Sequence, residues 1–102
     1  MSAVTSANVA TTSASRYLQQ LCKHWAHKLA VDFDASAGSV VFPNGGVLRM
    51  MAAPDALRVS ITAPDAEAAV TLQGVVARHL DRFAFREAPL AFDWSAPAVA
   101  AL

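Results

Sequence analysis

The stretch between residues 31 and 62 constrains the fold more than any other part of the sequence. It contains four short segments that are apolar or alternate between apolar and polar residues, with turn signals between them. In the last of them Leu57, Val59 and Ile61 alternate with polar residues, which is the pattern of a strand with one solvated face. The connections are too short for the crossover that parallel strands need. The sequence therefore predicts a four-stranded antiparallel meander.

The turn residues of this meander set its expected strand boundaries. The first strand contains Val31 and Phe33, and a turn at 36–38 separates it from the second, at 40–42. Pro43-Asn44-Gly45-Gly46 is then a strong hairpin signal, because Asn and Gly tolerate positive φ. The third strand covers 47–52. Pro54 and Asp55 turn the chain into the fourth.

Two amphipathic helices are predicted, one before the meander and one after it in the sequence. In the first, apolar side chains recur at three- and four-residue steps, and Thr12 or Ser13 is the expected N-cap. That stripe consists of Ala14, Tyr17, Leu18, Leu21, Cys22, Trp25 and Leu29. In the second, Pro64 and Asp65 suit the first turn. Its stripe consists of Ala69, Leu72, Val76, His79, Leu80 and Phe83.

The remaining segments complete an α+β domain. We expect a strand over 5–11, with Ala7 and Val9 inward and Asn8 outward, and a closing strand over 90–94. Residues 1–3 and 95–102 are expected to be loose termini of a single domain spanning 1–102. The predicted order is β-α-β-β-β-β-α-β, an antiparallel sheet of five to six strands with two helices on one face. The opposite face is left for solvent, a partner subunit or a ligand.

Charge and cysteine content exclude several function classes. Eight Lys and Arg balance eight Asp and Glu, whereas binding to nucleic acid needs a surplus of basic residues on one face. The single cysteine makes no internal disulfide, and no segment resembles a signal peptide. No window approaches the ~18 apolar residues of a membrane span. We therefore expect a soluble cytoplasmic protein without nucleic-acid or membrane partners.

The two helices hold every histidine and the only cysteine, and these define a candidate polar cluster. If the helices lie side by side, His79 on the second helix faces Cys22 or His24 on the first. Thiolate and imidazole ligands suit zinc, copper or iron. However, a free cysteine usually packs as a small apolar group, and a buried histidine more often bonds a carbonyl, an indole or a carboxylate. We therefore predict no bound cofactor. The candidate polar cluster also includes Tyr17 and Trp25 as possible hydrogen-bond partners of the histidines.

Other candidate constellations have simpler explanations. Asp32 and Asp34 lie on one side of a strand, as an acid and base pair would, but such pairs are more often a solvated edge. The Gly45-Gly46 segment lacks the helix start and the lysine of a phosphate-binding loop. No nucleophile elbow, Cys-x-x-Cys pair or zinc-protease motif is present in the sequence. The sequence contains no recognisable catalytic set.

Three segments resemble a family of small bacterial proteins catalogued as domain of unknown function 2218. They are Arg16–Trp25, Val75–Glu87 and Leu90–Trp94, and the resemblance extends from about Val9 to Trp94. Membership implies a fold similar to one half of the TATA-binding-protein saddle. The association of relatives with genes for siderophore-interacting flavin reductases implies a link to iron or siderophore metabolism. The resemblance implies no catalytic residue and no DNA binding, since fold does not fix function.

Two function classes follow. The first is a non-catalytic accessory or binding module that holds a protein partner, or a second copy of itself, through the open sheet face or its edge. The residues expected on that face include Arg49, Arg58, Ser60 and Thr62. The second is a metal-linked enzyme or iron-handling protein that uses Cys22, His24 and His79.

Overall fold

The computed structural model describes residues 2–100, which form one six-stranded sheet and two helices. In chain order these are β1 Ser2–Ala10, α1 Ala14–Trp25, β2 Ala30–Phe33, β3 Ala37–Val41, β4 Val47–Ala52, β5 Ala56–Ala63, α2 Ala66–Phe83 and β6 Ala98–Ala100. The strands lie in the order β2-β3-β4-β5-β1-β6, and every neighbouring pair is antiparallel. The α+β class and the meander are therefore confirmed.

The core lies between the helices and one face of the sheet. Inward residues of β1 and β5, such as Val9 and Ile61, are fully buried, whereas their chain neighbours are more exposed. Leu18 and Leu21 from α1 and Val76 from α2 are fully buried over this face. Each fully buried Leu or Val contributes about 1.5–3 kcal/mol. The helices thus cover one face, and the other face is left open.

The hairpin between β3 and β4 forms where the Asn and Gly residues predicted it. Gly45 has φ of +88°, and its N–H donates to the Phe42 carbonyl. A Cβ atom on Gly46 would lie 2.3 Å from Leu72 Cδ1 of α2. The turn therefore needs glycine for two reasons, the positive φ at Gly45 and the close approach of α2 at Gly46.

The two helices begin differently. Asp65 is the N-cap of α2 and accepts the Ala68 N–H at 2.8 Å. Ser13 is the N-cap of α1, but its hydroxyl makes no capping bond. Instead, Thr11 Oγ1 accepts the Ser13 N–H at 3.1 Å. Neither helix within residues 2–100 has both the length and the apolar character needed to cross a membrane.

The ends of the described chain differ from the prediction. Ser2 and Ala3 belong to β1, and the regular closing strand is β6 at Ala98–Ala100 rather than 90–94. Residues 2–3 and 98–100 were expected to belong to loose termini, and both are in strands instead. Residues 93–95 do run beside β1, but the side chains of Asp93 and Ser95 accept hydrogen bonds from the backbone N–H groups of β1. These bonds replace part of a backbone ladder. Met1, Ala101 and Leu102 lie outside the described residues.

Candidate functional site

The structure brings together three of the five residues in the predicted polar cluster. The ring centroids of His24 and His79 are 5.6 Å apart, and those of Trp25 and His79 are 5.0 Å apart. His79 Nδ1 lies 2.7 Å from the Val75 carbonyl oxygen and donates to it. The partner of His79 is therefore the backbone of its own helix, and not His24, Trp25 or Tyr17.

Cys22 lies apart from these histidines, on the sheet side of α1. It is fully buried, and a Cβ atom on Gly38 of β3 would lie 2.9 Å from its sulfur. Burial raises the pKa of the Cys22 thiol to about 11, because the charged thiolate loses its hydration. At neutral pH this side chain is a neutral thiol packed in the core.

Tyr17 points to the segment that follows α2. Its hydroxyl donates to the Glu87 carboxylate, and the Thr11 hydroxyl donates to both oxygens of that group, at 3.1 and 3.2 Å. The hydrogen bond to Glu87 raises the pKa of Tyr17, and burial and the negative charge of Glu87 add to this. Glu87 thus ties the end of α2 to the start of α1, a role not predicted from the sequence.

The proposed metal ligands are not gathered into one site. Cys22 faces β3, whereas His24 and His79 lie with Trp25 and Phe83. Across residues 2–100 there is no group of three or more His, Cys, Asp or Glu side chains placed to hold a metal ion. The geometry therefore offers no three-ligand site built on Cys22, His24 and His79.

The open sheet face instead presents polar side chains in two adjacent rows. In one row Ser6 of β1 lies beside Ser60 of β5, which lies beside Arg49 of β4. In the next row Arg58 of β5 lies between Asn8 of β1 and Met51 of β4. Their side chains point away from the core, because successive residues of a strand alternate between faces.

These rows form the floor of a cavity of about 570 Å³, which we call the open-face groove. The outward residues that line it are Ser6, Asn8, Arg49, Met51, Arg58, Ser60, Asp93 and Ser95. One wall is the segment 93–95, fixed by bonds from the Asn8 N–H to Asp93 Oδ1 (2.7 Å) and from the Ser95 N–H to the Ser6 carbonyl (2.8 Å). The volume of the open-face groove lies within the range of roughly 300–1,000 Å³ that is typical of small-molecule sites.

The comparisons with known proteins place the chain in a family. A family model described as "Uncharacterized protein conserved in bacteria (DUF2218)" matches residues 6–95. The chain belongs to the DUF2218 family. The NMR structure of PA4090 from Pseudomonas aeruginosa is similar to it, with 33% sequence identity and a TM-score of 0.79 over 94% of this chain and 99% of that one. No curated protein matches the sequence.

Membership confirms the family resemblance found in the sequence, and the similarity to PA4090 confirms the fold class. The TATA-binding-protein-like classification stays a prediction. The matched range ends at Ser95, so it includes the wall of the open-face groove but not β6. Every residue that lines the groove therefore lies within the part of the chain that the DUF2218 family model matches.

A second cavity of about 420 Å³ lies next to the open-face groove and shares Arg49 and Met51 with it. It is lined by Asp32 and Asp34, the carboxylate pair considered in the sequence. Asp34 Oδ1 accepts the N–H groups of Ser36 and Ala37 and the Ser36 hydroxyl at 2.8–2.9 Å. These bonds lower the pKa of Asp34. Asp34 is therefore a turn-forming carboxylate in this DUF2218 protein.

Only part of the groove was predictable from the sequence. Arg49, Arg58 and Ser60 were predicted on the solvated face from strand alternation alone. Asp93 and Ser95 were missed, because the segment that carries them binds β1 partly through side chains. The sequence signal for them was the alternation of Leu90, Phe92 and Trp94 with other residues. In an extended segment, apolar side chains that face the core leave Asp93 and Ser95 on the open face.

Proposed function

We propose that this DUF2218 protein is a non-catalytic binding module that holds its ligand in the open-face groove. The observation that carries the proposal is the groove itself, a cavity of about 570 Å³ with a polar floor on the face that the helices leave uncovered. Ligand sites are typically concave, largely pre-formed and few per protein. Here three strands supply the floor, and hydrogen bonds to β1 fix one wall.

The reactive side chains support binding rather than catalysis. Cys22 is a buried thiol with a raised pKa, and reactive cysteines need the opposite environment. The Nδ1 of His79 is engaged with its own helix, on the far side of the sheet from the groove. A general base has to lie within hydrogen-bond reach of the proton that it removes. Neither residue lines the groove.

A variant with a filled groove tests the proposal. Ser60 stands on the floor, so Ser60→Phe places a bulky ring in the cavity; Thr71→Phe on the exposed side of α2 is the matched control. A library of neutral, cationic and anionic small molecules is screened by saturation-transfer NMR. We expect compounds that bind the wild type and the control but not Ser60→Phe. A library without binders, or binders that tolerate Ser60→Phe, would contradict the proposal.

Self-association through the same face is a second candidate, and exposed apolar side chains favour it. Met51 and Val41 lie on the open face and are 60% and 46% exposed. A second copy placed over them would remove this apolar area from water, and Arg58 lies beside Met51 on the same face. Sedimentation equilibrium is expected to show a dimer that Arg58→Glu dissociates. A monomer at high concentration would remove this candidate.

The context in siderophore or iron metabolism is a further proposal, and it rests on the family resemblance alone. The iron-handling alternative needs Cys22, His24 and His79 to bind metal. Elemental analysis of protein purified without a histidine tag separates it from the binding module. Stoichiometric iron or zinc that is lost in Cys22→Ala and His79→Ala would favour the alternative, whereas metal at background would favour the binding module.

A further inference from the structure

We infer that the open-face groove takes an organic anion, whose carboxylate or phosphate group is bound between Arg49 and Arg58. This inference rests on the proposed function and adds the chemical class of the ligand. It follows from the placement of the two arginines, the charge balance of the lining and the neutral groups around them.

The register of β4 and β5 makes the two arginines diagonal neighbours. Arg49 lies opposite Ser60, and Arg58 is two residues before Ser60 on the same strand. Diagonal neighbours on one face of an antiparallel pair have their side-chain origins about 7–8 Å apart or less. Both side chains are exposed, and both line the groove. Two flexible guanidinium groups at this separation can reach the same anion.

The charge of the lining favours an anion over a cation. Two guanidinium groups and one carboxylate line the groove, so its formal charge is 2 − 1 = +1. The carboxylate is Asp93, and its Oδ1 already accepts the Asn8 N–H at 2.7 Å. The fork of an arginine matches the two oxygens of a carboxylate or phosphate, which makes arginine the preferred residue for these groups.

The neutral groups indicate what else the ligand carries. Ser60 and Asn8 lie beside the two arginines and add hydrogen-bonding groups. Met51 lies opposite Arg58 and offers an exposed thioether chain to an apolar surface. The groove therefore suits an anion with an organic body better than a bare inorganic ion.

Isothermal titration calorimetry at low ionic strength tests this inference with three probes. Inorganic phosphate and succinate separate phosphate from carboxylate recognition, and succinamide is the uncharged analogue of succinate. The variants are Arg49→Gln, Arg58→Gln and Arg58→Lys, with the exposed helical Arg78→Gln as the control. The thermal midpoint of each variant is measured beside the wild type to show that it is folded.

We expect succinate or phosphate to bind the wild type at least tenfold more tightly than succinamide. Arg49→Gln and Arg58→Gln are each expected to weaken binding about tenfold or more, because each removes a charged hydrogen-bonding fork. Arg58→Lys keeps the charge without the fork and should give an intermediate loss. Arg78→Gln is expected to bind as the wild type does.

Three results would overturn the inference. Succinamide that binds as tightly as succinate, or an equal loss in Arg78→Gln and the groove variants, would show that no anion is held between Arg49 and Arg58. Absence of binding by both anions would do the same. If library compounds remain sensitive to Ser60→Phe, the proposed function survives and only the ligand class is wrong. If they do not, both fail.

Discussion

At the scale of single residues, burial decides which side chains are available for chemistry. The sequence offered Cys22 as a candidate metal ligand and placed it in an apolar helical stripe, and its burial in α1 confirms that placement. The helical period shows which side chains share a face, but it does not show which strand or helix packs against that face. The structure turns the sulfur toward Gly38 of β3, away from the histidines.

This burial predicts an unreactive thiol. With the pKa of Cys22 raised to about 11, the thiolate is scarce at neutral pH and shielded by the core. We expect iodoacetamide to leave the folded protein unmodified and to label one site after unfolding in guanidinium, as measured by intact mass. Val70→Cys on the exposed side of α2 is the positive control. Rapid stoichiometric labelling of the folded wild type would contradict the packing of α1.

The hydrogen bond from Tyr17 to Glu87 predicts a loss of stability at alkaline pH. The pKa of Tyr17 is raised above 10.0 in the folded protein, so the bond contributes fully below the unfolded pKa. Its contribution is lost as the pH rises through the folded pKa. We expect Tyr17→Phe to be about 0.5–1.5 kcal/mol less stable than the wild type near neutral pH.

Urea denaturation of both proteins between about pH 8 and pH 11 measures this difference. The gap in unfolding free energy should shrink across that range, because only the wild type carries the titrating group. Tyr17 is the only tyrosine in the chain, so tyrosinate absorbance gives its pKa directly. An absorbance midpoint at or below that of the unfolded protein would show that the bond to Glu87 is absent.

At the scale of elements, alternation and helical period predicted the strands and helices whose backbone bonds are regular. They failed where side chains replace backbone partners. The segment 93–95 accepts β1 N–H groups with a carboxylate and a hydroxyl, and the regular pairing resumes only at Ala98, after Pro97. Proline has no N–H to donate to a ladder. No period in the sequence encodes such side-chain bonds.

Two glycines give opposite predictions for the packing of α2. Alanine at Gly46 would put a Cβ atom 2.3 Å from Leu72 Cδ1, so Gly46→Ala must displace the hairpin or the helix. Alanine at Gly74, inside α2, would meet only the mobile end of Arg78 at 3.0 Å. We expect Gly46→Ala to be destabilising by about 1–3 kcal/mol. Gly74→Ala should be stabilising by up to about 1 kcal/mol.

Chemical denaturation of the two variants measures both effects. Gly74→Ala serves as the matched control, because it adds the same methyl group within α2 without meeting Leu72. Equal stability of Gly46→Ala and the wild type would mean that the hairpin does not approach Leu72 as closely as described.

At the scale of the whole molecule, a sheet covered on one side explains both the core and the candidate site. The helices use one face for burial, and the meander places Arg49, Arg58 and Ser60 on the other. The sequence was sufficient to predict that this face is free and polar. It was not sufficient to predict a groove, because the residues of its wall are 85 to 90 positions along the chain from the β1 residues that hold them.

Disulfide tethering at the groove floor tests the central claim most directly. Ser60→Cys places a thiol in the open-face groove, Thr71→Cys places one on α2, and the buried Cys22 stays silent in both. Each variant is equilibrated with a library of disulfide fragments at a fixed concentration of reductant and weighed by mass spectrometry. We predict that Ser60→Cys retains a small set of fragments that Thr71→Cys releases, because contacts in a binding site strengthen the link. Retention of the same fragments by both thiols, or of none by Ser60→Cys, would contradict the claim that this groove is the binding site.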